Sequence, residues 1–284
     1  MLKEPTSTEE PDVISAHHLQ RLIGSIGIAL PLICIFYGLF GANYILTSVS
    51  AFYYTPVHGI FVGTLCALGV CLICYKGYDR TDSRLGTVAG FCAILVALFP
   101  TVPDTSNLEG GAAERAAAAL VSGTRPIVWP PDPVFCQMLH GVAAIALFVV
   151  LTIFAGFLFP RTKPTPNNVS TAVQSVKDLK YIVVSEEAKV PDREKAEANR
   201  IYRICALLMA GALLAVPLNA FTFRFSHTLF WSETVAVLAF GISWLTKSHV
   251  GAAPRRAIIW GIVLFLLGCA VYWLLNPRMG ASPL

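Results

Sequence analysis

Six ionisable groups stand inside or at the ends of long apolar runs: His58, Asp104, His140, Arg224, His227 and Glu233. A charge at membrane depth costs on the order of 3 kcal/mol on insertion scales, so such groups mark functional sites by default. Two imidazoles with one or two carboxylates suit a zinc site in which three protein ligands hold a reactive water. No HExxH or HxxxH pair occurs, so two ligands never come from adjacent turns of one helix. A binding or transport pocket needs no such spacing. In that reading Arg224 meets an anionic headgroup or carboxylate while Glu233 and His140 fix its orientation. A third reading is structural, with each group satisfying a neighbouring helix and Glu233 tied to Arg224. The candidate ligand-binding set is His140, Glu233, Arg224, Asp104, His58 and Tyr54. No metal or other cofactor is assigned; His140, Glu233 and Asp104 are the residues a zinc site would use.

The elements that must position these groups are membrane helices. Of 284 residues, 55% are hydrophobic and 13% charged, and mean hydropathy is +0.64. No Lys, Arg, Asp or Glu occurs from Leu22 to Tyr75, which is long enough for two crossings. Apolar runs recur at 22–46, 57–76, 85–102, 135–159, 202–219, 229–246 and 257–275, predicting an all-α bundle of seven spans. The third run, which ends at Pro100 and Pro103, and the sixth, which carries Glu233, are the weakest. Assigned to alternate loops, 17 Lys/Arg fall on one side and only Arg115, Arg125, Arg224 and Arg278 on the other. Positive residues favour the cytoplasm, so the N-terminus is expected inside a plasma membrane and the C-terminus outside. On this count the six ionisable groups gather near the outer face. Glu233 lies eleven residues before an interfacial Trp244, roughly 16 Å at about 1.5 Å per residue.

The expected organisation is a cytoplasmic tail over 1–21, a transmembrane domain over 22–275 with an outer loop at 102–134 and a cytoplasmic loop at 160–200, and a short outer tail over 276–284. The acidic start (Glu4, Glu9, Glu10, Asp12) is unlike a secretory leader. Seven of the eight cysteines fall well inside spans and act as small apolar residues; Cys136, at the outer end of the fourth run, lies near the outer face without an obvious partner. The first outer loop, TSVSAFYYTP, places Tyr53 and Tyr54 at headgroup depth as belt residues. Gly59 and Gly63 have the small-xxx-small spacing of a packing face, expected to meet Gly24 and Gly27. Pro31 and Pro217 should kink their spans, and Pro191, Asp192 and Glu194 open a helix that runs into the fifth. The net charge of +4 is divided among loops and forms no aromatic-laced basic patch, which sets nucleic acid aside. There is no Walker A, GxGxxG, GxSxG or CxxCH. The expected partners are the bilayer and a lipid or small-molecule ligand.

The stretch SVSAFYYTPVHGIFVGTLCALGVCLICYKGYDRTD, continuing into AGFCAILVALFPT, resembles bacterial polytopic inner-membrane proteins grouped only as a domain of unknown function. FCQMLHGVAAIALF, NRIYRICALLM and WSETVAVLAFGISWLTK look like the same family. The likeness covers about Arg21 to Lys247, which implies a six-span core with the seventh span added, and implies no activity. Similar proteins carry Arg at the place of His58, which speaks against His58 as a metal ligand. A looser likeness is to the alkaline ceramidases and adiponectin-receptor-like proteins, also of seven spans. Those hold zinc with a Ser, an Asp and three His, two on the last helix. The last span here has no His, so that likeness stops at architecture.

Overall fold

The computed structural model describes residues 16–42, 46–77, 79–101, 133–161, 192–221, 227–248 and 252–275, and among these it is helical with no strand. The helices are α1 (Ala16–Phe36), α2 (His58–Cys74), α3 (Arg80–Leu98), α4 (Pro133–Ile153), α5 (Asp192–Phe221), α6 (Thr228–Lys247) and α7 (Ala252–Leu275). Five helical segments are long and apolar enough to cross a membrane: Ala16–Gly41, Arg80–Leu98, Val134–Leu158, Arg193–Phe221 and Thr228–Lys247. His58–Cys74 and Ile258–Cys269 are shorter apolar helices. At about 1.5 Å per residue, the 17 residues of α2 rise only about 25 Å. Over the described residues the protein is therefore all-α, with several helices long and apolar enough to cross a membrane.

Local chemistry explains several boundaries. Asp79 caps α3, its carboxylate accepting the Asp82 N–H at 2.8 Å, so this helix begins five residues before the apolar run. The expected helix start at Asp192 holds, and α5 continues through Pro217 to Phe221. Past Pro31, α1 widens into a π-helical turn at Tyr37–Ala42; α4 ends likewise at Phe154–Leu158.

Helices α1 to α6 form a closed ring in chain order, each packed on the next and α6 returning to α1, while α7 packs on the ring mainly along α6. Glycines set the closest crossings. A Cβ on Gly69 would fall 2.7 Å from the Gly90 carbonyl oxygen, so α2 and α3 meet backbone to backbone. Gly24 and Gly241 make the equivalent approach between α1 and α6, with a Cβ on Gly24 2.9 Å from the Gly241 oxygen. The expected packing of Gly59 and Gly63 against Gly24 and Gly27 is thus corrected. Both face open space, and Gly27 meets Phe240 of α6. The spacing marked a small-residue face, but the crossing partner was set by ring topology, which spacing does not encode.

Trp244, expected at the inner boundary, is fully buried within Tyr75, Phe154, Phe159 and Phe240, at ring separations of 4.8 to 6.0 Å.

Gly90→Val should therefore cost at least the 1–3 kcal/mol or so of an overpacked core, read as loss of a monodisperse peak and a lower thermal midpoint in detergent. Gly59→Ala should stay within about 0.5 kcal/mol of wild type in the same assay.

Candidate functional site

The α1–α2 connection does not lie on the surface. Leu46, Ser48, Val49, Ser50, Ala51, Phe52 and Tyr53 are all buried, with a short 3-10 turn over Ser50–Tyr54. Irregular backbone at this depth is tolerated only when protein groups satisfy it. The start of α6 does so: Phe230 N–H donates to the Thr47 carbonyl at 2.9 Å, and the Glu233 carboxylate accepts from Ser48 Oγ at 2.8 Å and Val49 N–H at 2.6 Å. Within the segment, Ser50 N–H donates to Ser48 Oγ at 3.0 Å. Glu233 serves as an acceptor for a buried turn, the role a backbone carbonyl would play in regular structure.

From the opposite side α4 supplies His140, 3% exposed. Its Nδ1 lies 2.7 Å from the Phe99 carbonyl, just past the end of α3, and its Nε2 lies 2.9 Å from Ser50 Oγ. A carbonyl can only accept, so Nδ1 carries a proton, and in the neutral ring Nε2 accepts from the Ser50 hydroxyl. His140 and Glu233 thus hold opposite sides of the same three-residue stretch, Ser48–Ser50. Ser50 and Glu233 also line an internal cavity of about 50 Å³. Its other walls are apolar, among them Leu30, Phe61, Leu65, Val96, Leu147 and Phe240. That volume has room for roughly four water-sized groups.

Two more of the expected site residues stand beside this turn. His58 Nδ1 donates to the Tyr53 carbonyl at 2.7 Å, and its ring packs edge-on against Tyr53 at 4.3 Å, closing the first turn of α2. Tyr54 is half-buried beside Tyr53. The expectation that Tyr53 is a belt residue is corrected, since it is completely buried. Cys136, expected near the outer face, is buried as well. Arg224 and Asp104 lie outside the described residues. Among the described residues no group of three or more His, Cys, Asp and Glu could hold a metal. The residues that sequence reasoning missed are Ser48 and Ser50; the hydroxyl-rich loop was visible, but nothing local showed that it folds inward.

A second polar cluster ties the other end of the ring. Arg161, just past α4, reaches Asp79 with Nη1 at 3.1 Å and Asp82 with Nη2. Asp82 is 2% exposed. The Asp82 backbone N–H, and next the Arg161 guanidinium, hold the Asp79 carboxyl below its ordinary value of 3.8. Beside this cluster Lys247 Nζ donates to the Phe159 carbonyl at 3.4 Å and sits 5.5 Å over the Phe159 ring.

Comparison of the chain with protein-family models, curated proteins and solved structures returns no match.

Glu233→Ala leaves the Ser48 and Val49 donors without their acceptor, at roughly 1–3 kcal/mol each. A total loss of about 2–6 kcal/mol is expected in chemical denaturation, while Glu233→Gln, which keeps an acceptor oxygen, should lose less than half of that. At the other end, a depressed carboxyl pKa stabilises the fold fully above the ordinary value of 3.8 and ceases to as pH falls through the lower folded value. Asp79→Asn should therefore lower the thermal midpoint at pH 7, and the gap from wild type should close on acidification below about pH 4.

Proposed function

We propose that this membrane protein, with its N-terminus in the cytoplasm and its C-terminus outside, binds a small or lipid-like ligand in the central cavity. The observation that carries this reading is the cavity itself, a slot whose apolar walls come from α1, α2, α3, α4 and α6 and whose polar groups are Ser50 and Glu233. An apolar pocket with a few convergent polar groups is the usual form of a small-molecule site. The polar end consists of hydroxyl and carboxylate oxygens, so it suits a neutral head that donates hydrogen bonds, such as a glyceride hydroxyl, better than an anionic one. With room for roughly four water-sized groups, the slot takes part of that head. The plasma-membrane orientation rests on the 17-to-4 partition of Lys and Arg.

Native mass spectrometry with 1-decanoylglycerol tests the reading. Wild type should bind one molecule per chain with saturation. Ala144→Leu, which adds bulk to a wall of the slot, should weaken binding at least about tenfold, the equivalent of roughly 1.4 kcal/mol. No saturable binding to folded wild type would overturn the proposal.

A further inference from the structure

We propose that Ser50 is a nucleophile, activated by His140, that accepts an acyl group from an ester held in the central cavity. The inference deepens the pocket reading, since the slot is what brings a substrate carbonyl to Ser50.

Three observations carry it. Ser50 Oγ lies 2.9 Å from His140 Nε2, within reach for proton transfer. The Phe99 carbonyl, 2.7 Å from Nδ1, fixes the tautomer in which Nε2 bears the free lone pair. This is the orienting role that a carboxylate plays in a catalytic triad. Finally, Ser50 lines the cavity, so the residue beside an oriented base also borders an apolar slot. A hydroxyl kept only for structure would need the partner but not the slot.

The step balances without a redox partner. Ser50 Oγ attacks the ester carbonyl carbon, and its proton passes to His140 Nε2. The bond from carbonyl carbon to alkoxy oxygen then breaks, and the departing alkoxide takes that proton and leaves as the alcohol. Water then attacks acyl-Ser50, giving one proton to His140 and releasing the carboxylic acid as Ser50 Oγ is reprotonated. The donors of this stretch are already engaged, Ser48 Oγ–H and Val49 N–H by Glu233 and the Ser50 N–H by Ser48 Oγ. Stabilisation of the oxyanion is therefore weak and turnover slow, so covalent capture is the proper readout.

The full-length protein in detergent is treated with a decyl fluorophosphonate. Oγ–P bond formation expels fluoride, and His140 takes the Ser50 proton. One adduct is expected, mapped to Ser50 by peptide mass spectrometry. Ser50→Ala should give none. His140→Gln can still hydrogen-bond Ser50 but is a far weaker base, and should label about 100-fold more slowly with a thermal midpoint close to wild type. A His140→Gln variant that folds normally and labels at the wild-type rate would overturn the inference, as would an adduct at Ser48 instead of Ser50. Saturable 1-decanoylglycerol binding without any Ser50 adduct would also overturn it while leaving the pocket standing. An adduct in protein that binds no glyceride would support the nucleophile and remove only the ligand class.

Discussion

The Glu233 carboxylate holds the centre of this fold together. Two donors of the buried α1–α2 connection, Ser48 Oγ–H and Val49 N–H, converge on one of its oxygens. Without that acceptor the connection would carry unsatisfied polar groups in an apolar interior, and the turn would have to move toward the headgroups. Because the turn stays inside, Phe52 and Tyr53 become core residues, Ser50 comes within reach of His140, and the mouth of the ring is filled. The acid that looked most like chemistry in the sequence is an organiser first, and the cavity exists because of what it organises.

The two ends of the ring are built on different principles. At one end a carboxylate, two serines, an imidazole and the Phe99 carbonyl form a hydrogen-bonded network around a turn, with no Lys or Arg in it among the described residues. At the other, Arg161 bridges Asp79 and Asp82 beside a cage of aromatic rings around Trp244. Glycine crossings at Gly69/Gly90 and Gly24/Gly241 join the ends by bringing helix backbones together, which suits a bilayer in which apolar side chains gain little by leaving lipid.

The helices were legible because a run of about twenty residues without a charge matches the thickness of a bilayer core, and the weak sixth run proved to be the helix on which the site depends. Boundaries were legible where a cap or a proline marks them, as at Asp192, and missed where polar residues are drawn into the helix, as at Asp79 to Arg84. In the site, Glu233 and His140 stood out as polar groups among apolar ones. Their joint hold on Ser48–Ser50 did not, because 90 residues separate Ser50 from His140 and 185 separate Ser48 from Glu233. A GxSxG search looks for a nucleophile defined by its neighbours in sequence, whereas this hydroxyl is defined by its neighbours in space. Tyr53 was misplaced for a related reason. An amphipathic ring turns to the headgroups only when no internal partner competes, and here Tyr54 and His58 do.

The 185-residue separation also orders the birth of the molecule. At a synthesis rate of about 5–20 residues per second, the α1–α2 hairpin waits on the order of ten to forty seconds before Glu233 leaves the ribosome. During that interval Ser48 Oγ–H and Val49 N–H lack the carboxylate that accepts from them in the folded chain. The ring is thus closed by its last member, and a nascent chain halted before Thr228 would leave its entrance unplugged and its first hairpin exposed to quality control.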